Sequence, residues 1–179
     1  MSSDRPLHVL FVCTGNICRS PVGEYLLRSA VDRSGIANVT VSSAGTSGLS
    51  GHRMDPRSLD FLNSHGIDGS RFTARRLNRR LLKETDLVIG LEQSHVDEIL
   101  TLHPGALART VRLRQLAGWC RSGDLTVVSD LPTLRRSLPV VPGGHKDPVN
   151  FTSRAEYRRV LDEIASDISA VSSLLTTGR

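Results

Sequence analysis

Leu7 to Val12 is an apolar run, interrupted only by His8, that stops at Cys13. A strand apolar at consecutive positions is buried on both faces, so the chain must supply cover on either side of it. Beyond Cys13 the chain turns polar through Thr14, Gly15, Asn16, Ile17 and Cys18 and reaches Arg19, Ser20 and Pro21. Val22, Leu26, Leu27, Ala30 and Val31 then recur at helical spacing. Ser20 suits a cap, Pro21 a first turn and Glu24 the positive end of a helix dipole, which predicts a helix from near Pro21 to Arg33. A buried strand, a tight loop and a helix start together open a βαβ unit.

The same alternation continues. Gly35 closes the helix, and Val39 to Ser43 reads as a second strand ending at Ala44-Gly45-Thr46. After a Gly- and Ser-rich loop, Asp55-Pro56 opens a helix that Gly66 closes. Residues 69–76 look irregular, and Asn78 is placed to cap a short helix through Leu82. Leu87 to Ile89 is a third strand, Ser94 to Leu102 a helix, and Thr110 to Leu113 a fourth strand. From Gly118 to Gly144 the pattern dissolves into an extended loop, read as a hairpin or lid with β-like patches at Leu125 to Val128 and Leu138 to Val141; loops of that length are often functional. Residues 153–175 carry Tyr157, Val160, Leu161, Ile164, Ile168, Val171 and Leu175 at helical intervals. The fold expected is a single α/β domain with a four-stranded parallel sheet, order 2-1-3-4, and helices on both faces. In such sheets ligands bind outside the carboxyl ends of the strands, where the loop after Val12 sits.

Composition narrows the function classes. A chain of 179 residues holds one domain with a proper core. The N-terminus shows neither a signal peptide nor a membrane span, and three cysteines, Cys13, Cys18 and Cys120, argue for reduced thiols rather than a disulfide framework, so the expected compartment is the cytoplasm. The net charge of +5 is carried mostly by arginine, since only Lys83 and Lys146 are lysines. Such a surface attracts anions. Nucleic acid is an unfavoured partner, because aromatics are only 4% of residues and the arginines are spread along the chain.

Cys13 and Arg19 bracket a turn in which backbone N–H groups can curl around one tetrahedral anion. Gly15 permits a positive φ there and Asn16 tolerates one. The Arg19 guanidinium matches two phosphate oxygens, and Cys13 at the floor would lie in a field that favours thiolate. That is a nucleophile aimed at phosphorus. The residues read as phosphate-binding are Thr14, Gly15, Asn16, Ile17, Cys18, Arg19 and Ser20. A zinc site is disfavoured, since Cys13 and Cys18 lack paired spacing and His145 is a lone candidate ligand.

FVCTGNICRSP resembles the signature of the low-molecular-weight protein tyrosine phosphatases, and the likeness continues through Ser43-Ala44-Gly45-Thr46, Asp55-Pro56-Arg57, His65-Gly66-Ile67, Ala74-Arg75, Asp86-Leu87-Val88, His95 and Asp147-Pro148. The resemblance implies a two-step mechanism: Cys13 attacks phosphorus to form a phosphocysteine, Asp147 protonates the leaving oxygen and then helps activate water, and Arg19 holds the equatorial oxygens. It implies that Ser20 hydrogen-bonds the thiolate, that Asn16 and Ser43 brace the loop, that Cys18 could pair with Cys13 under oxidation, and that neither metal nor cofactor is needed. The partners implied are a phosphorylated protein or small phosphate ester as substrate and inorganic phosphate as product, with no membrane.

The chain departs from the family pattern in its recognition surface. Ser47, Gly48 and Leu49 stand where an aromatic follows the Ser-Ala-Gly-Thr stretch, and Val149 and Asn150 where two follow Asp-Pro; Phe151 is placed to substitute in part. Phe72 stands where a supporting histidine is expected. The chain is therefore expected to be a divergent member with its chemistry kept and its ring recognition altered. Two alternatives share the anion loop: a non-catalytic phosphate-binding module, and an arsenate reductase, whose further redox cysteines are not found between residues 90 and 119.

Overall fold

The computed structural model describes residues 5–176 of the chain. Strand β1 (Leu7–Cys13) lies centrally between β2 (Val39–Gly45) and β3 (Leu87–Gly90), and β4 (Thr110–Arg112) pairs with β3, giving a four-stranded sheet in the order β2-β1-β3-β4. Every pairing is parallel, and the register sets Cys13 beside Gly45 and Val12 beside Gly90. The carboxyl ends of three strands thus meet around Cys13.

Alternation along β1 divides the core. Val9 and Phe11 face one side, where they pack with α1 (Arg19–Arg33), α2 (Pro56–Ser64), α5 (Leu113–Ser122) and α7 (Arg154–Thr176). Leu10 and Val12 face the other side, against Leu82 of α3 (Arg79–Lys83) and Ile99 of α4 (Gln93–Leu102). All four β1 residues are fully buried, each side chain of that size contributing about 1.5–3 kcal/mol. Burial on both faces is why β1 carries no polar alternation, and it fixes the floor of the loop that follows. Asn78 caps α3 as its position suggests, accepting from the Leu81 N–H at 3.0 Å.

Four expectations need correction. Helix α1 begins at Arg19, directly after Cys18, so Ser20 lies inside the first turn and does not cap it. Glu24 consequently falls beyond the first turn and is buried, pairing with Arg28 and accepting from Ser43 at 2.6 Å. The third correction is the segment from 118 to 144, which is neither hairpin nor β-like. Its first residues complete α5, and after Gly123 (φ 76°) come a 3-10 turn at Val128–Asp130 and the short α6 (Leu131–Leu134). Leu113, expected to close β4, instead opens α5.

Gly118 reads as a helix breaker yet sits mid-helix because the returning chain crosses there: an added Cβ would lie 2.7 Å from Val141 Cγ2. Trp119 next to it is 2% exposed and donates its indole N–H to the Pro139 carbonyl at 2.7 Å, so α5 and the returning segment are one packed unit. Trp119→Ala is expected to cost about 3–5 kcal/mol of stability, measured by urea denaturation; a loss below 1 kcal/mol would show that the segment is not packed on α5.

Candidate active site

The loop between β1 and α1 is held from outside. The carbonyls of Cys13, Thr14 and Gly15 accept from the N–H groups of Thr46, Ser47 and Leu49 at 2.9–3.1 Å, and the Ile17 carbonyl accepts from Asp55 at 2.9 Å. The end of β2 presses on the loop so closely that a Cβ on Gly45 would lie 2.5 Å from the Thr14 oxygen. Asn16 alone among non-glycine residues described has a positive φ, 58°, while Gly15 does not use that region. The turn therefore falls one residue later than the glycine suggests. Asn16 is fixed there by its amide, which donates to Ser20 Oγ (2.9 Å) and Ser43 Oγ (2.8 Å), and by its carbonyl, which accepts from the Arg75 N–H (2.8 Å).

Ser43 passes the brace on to Glu24. Burial raises the Glu24 carboxyl above its ordinary range, opposed by the Ser43 hydroxyl and Arg28. Glu24 had no signal beyond its helical position; its role follows from β2 lying beside α1. Phe72, at the place of the expected histidine, packs edge-on against Tyr25 with centroids 6.1 Å apart.

Within this frame Cys13 is 2% exposed and its Sγ lies 2.9 Å from Ser20 Oγ. Arg19, 1% exposed, meets Glu92 Oε2 (2.6 Å) and the His145 carbonyl (2.7 Å) through Nη1, and Asp147 Oδ2 (2.8 Å) through Nη2. Its Nε is buried without a hydrogen-bond partner among the described residues. Asp147 Oδ1 accepts from the Val149 N–H at 3.1 Å. The three residues expected to do chemistry thus converge, though they come from the end of β1, the start of α1 and the segment before α7. They border a cavity of about 220 Å³ whose walls include Ile17, Leu49 and Val149. Asn150 does not line it, and Phe151 faces a separate hollow with Lys146 and Arg159. A larger cavity, about 740 Å³, opens at the other end of the sheet near Leu7 and Val39, but no ionisable side chain lines it.

Glu92, His95 and Arg75 complete the site; His95 and Arg75 lie in stretches that carry the family resemblance, without an assigned role, whereas Glu92 carries no motif. His95 accepts the Glu92 N–H at Nδ1 (3.0 Å), which leaves Nε2–H to donate to Thr14 Oγ1 (3.0 Å). Burial, reinforced by Arg19, lowers the His95 pKa to about 4, so the ring is neutral at pH 7. The Cys18 thiol is pushed up to about 12 by burial, which keeps it protonated, and Cys13, Cys18 and Cys120 are all free thiols. Among the described residues no three His, Cys, Asp or Glu side chains gather as a metal-ligand set, and no helix is long and apolar enough to cross a membrane. His145, the candidate ligand, lies against Asp167 instead.

The His95 shift has a measurable sign. The imidazole binds protons more readily unfolded, near 6.5, than folded, near 4, so stability is full above 6.5, falls as pH drops between those values and levels off below. The full effect is about 3 kcal/mol. Urea unfolding at pH 7 and pH 4.5 is expected to show a clearly smaller acid loss for His95→Gln than for wild type; equal losses would place the titration elsewhere.

Known proteins resemble this chain in sequence and in fold. The family model for low molecular weight phosphotyrosine protein phosphatase matches residues 8–130. The low molecular weight protein-tyrosine-phosphatase Ptp of Acinetobacter johnsonii is 38% identical over 111 residues, 62% of this chain and 75% of the relative. Etp of Escherichia coli K12, another low molecular weight protein-tyrosine-phosphatase, is 35% identical over 107 residues, 60% of this chain and 69% of the relative. Among solved structures, the YwlE arginine phosphatase from Geobacillus stearothermophilus superposes with a TM-score of 0.76 at 26% identity, covering 96% of this chain and 94% of that one. The chain belongs to the low molecular weight phosphotyrosine protein phosphatase family, a family of cysteine-based phosphoric monoester hydrolases.

Proposed function

We propose that the protein hydrolyses phosphate monoesters through a phosphocysteine, with Cys13 as nucleophile, Asp147 as general acid and base, and Arg19 with the loop amides of residues 14–19 as the anion cradle. The observation that carries this reading is the convergence of Cys13 Sγ, the buried Arg19 guanidinium and Asp147 on one small cavity. In the first step a bond forms between Sγ and phosphorus while the phosphorus–oxygen ester bond breaks, and the proton held by Asp147 passes to the leaving oxygen. In the second step water attacks phosphorus, Asp147 takes its proton, the sulfur–phosphorus bond breaks and inorganic phosphate is released. Ser20 Oγ, 2.9 Å from Sγ, stabilises the thiolate as it leaves. Asn16 and Ser43 hold the loop amides in place for the equatorial oxygens. The unpartnered Arg19 Nε suits a phosphate oxygen, and an anion seated there competes with Asp147 for the guanidinium.

The substrate we infer is a phosphorylated protein side chain or small phosphate ester gripped by aliphatic contacts. Leu49 and Val149, which wall the cavity, are 43% and 49% exposed and ready to cover an apolar group. The relatives are named for two leaving groups, tyrosine and arginine, and in this reading the cavity walls choose between such groups. The free thiols suit a reducing compartment, and the cytoplasm is the one we infer.

Phosphate release from p-nitrophenyl phosphate tests the chemistry. Cys13→Ser is expected to abolish turnover and Asp147→Asn to lower kcat by about 10²–10⁴-fold. A wild type that binds phosphate without turnover would make the protein a binding module, and arsenate-dependent thiol oxidation in its place would make it a reductase. For the substrate, alkyl phosphates are expected to be turned over on a par with phosphotyrosine peptides; strong selectivity for the peptides would overturn the aliphatic-wall reading while leaving hydrolysis standing.

A further inference from the structure

Residues 141–147 form a strap that approaches the site across the ends of β3 and β4. Arg112, the last residue of β4, donates to the Val141 carbonyl at 2.9 Å and to the Gly143 carbonyl. At Gly144 the strap rests on the backbone that follows β3, since an added Cβ would lie 2.9 Å from the Leu91 oxygen. His145 is then fully buried. Its backbone N–H donates to the Leu91 carbonyl at 2.8 Å, its own carbonyl accepts from Arg19 Nη1 at 2.7 Å, and its ring Nε2 lies 2.9 Å from Asp167 Oδ2 on α7, a close polar contact rather than an aligned hydrogen bond. Asp167 is itself 3% exposed and also meets two cations of α5, Arg114 Nε at 2.9 Å and Arg121 Nη2 at 2.7 Å.

We propose that His145 is a positioning residue for the general acid: its ring, anchored on Asp167, sets where Asp147 stands relative to Arg19. The inference rests on Asp147 being the proton donor. Two residues of chain reach about 7 Å at most, so a displacement of the anchor passes directly to Asp147. Because the His145 carbonyl also holds Arg19, one fixed point aligns both members of the Arg19–Asp147 pair. Asp167 is a durable anchor: burial alone would raise its carboxyl, but His145 and the arginines of α5 outweigh that and hold it below the ordinary range. Neither partner touches the cavity that Cys13 borders, which separates this role from that of the residues meeting substrate.

A misplaced acid matters in proportion to how badly the leaving oxygen needs its proton, and the test uses that dependence. His145→Leu and Asp167→Asn are compared with wild type on phenyl phosphate, a poor leaving group, and 2,4-dinitrophenyl phosphate, a good one. Both variants are expected to lower kcat on phenyl phosphate about tenfold, with a several-fold smaller loss on the dinitrophenyl ester. His145→Gln, which keeps a donor near Nε2, is expected to recover most of the loss. Equal losses on the two esters, or no loss on either, would reduce His145 to a structural residue and overturn the proposal. Should His145→Leu fail to fold, Asp167→Asn and His145→Gln decide the matter between them. Asp147→Asn run beside them separates the two readings: if it shows no leaving-group dependence the assignment of the acid fails, and if it alone shows it the positioning role fails.

Discussion

The Arg19 guanidinium is a permanent charge with 1% of its side chain exposed, and a charge so buried persists only where the fold brings it partners. Its partners are Glu92, which follows β3, and the carbonyl of His145 with the carboxylate of Asp147, which precede α7. None can reach Arg19 until the sheet has assembled and the strap has closed over it. Leaving such a charge uncompensated costs about 3–5 kcal/mol, so the site and the tertiary fold stabilise one another. The two carboxylates also temper the field at Cys13. A guanidinium already faced by two negative groups is a weaker anion trap than Arg19 alone would be; in the proposed reaction that shifts the burden of binding a phosphate onto the loop amides and the N-terminus of α1, which begins at Arg19 itself.

That burden explains how rigidly the loop is braced. Amides stabilise an anion effectively only if they need not reorganise when it forms. Asn16 accepts an unfavourable backbone angle and is tied at three points, to Ser20, Ser43 and Arg75. Behind Ser43 stands Glu24, a carboxyl buried at a cost that burial itself raises and the Ser43 hydroxyl and Arg28 offset. The brace thus runs from the anion loop through β2 into α1, elements that flank the same strand, β1.

How much of this was legible follows from the range of each signal. The continuous burial of Leu10, Phe11 and Val12 is written in adjacent residues, as are the Cys13-to-Arg19 turn and the Asn78 cap. Helix α5 is not legible in its own residues because β4 runs into it without a break and Gly118 looks like punctuation; the true cause of that glycine, the close passage of Val141, lies more than twenty residues away. Glu24 is illegible for a related reason: α1 starts at Arg19, which puts Glu24 beyond the first turn, and its partner is Ser43 on another element. Glu92 and His145 carried no motif at all, since what defines them is Arg19, 73 and 126 residues distant in the chain.

The cavity walls are where chemistry and recognition separate. Covering Leu49 and Val149 yields about 25 cal/mol per Å² of apolar surface whatever the shape of the covering group, so an aliphatic chain gains there as much as a ring of equal area. What the aliphatic walls forgo is the oriented stacking of two aromatic groups, about 0.5–1.5 kcal/mol per pair, or at most a factor of about ten in selectivity for each pair lost. That is too little to exclude a phenyl ring and too much to leave one specially favoured. In the proposed reaction the cradle sets which bond is broken, while Ile17, Leu49 and Val149 leave the leaving group to be chosen by fit and by charges beyond the cavity's rim.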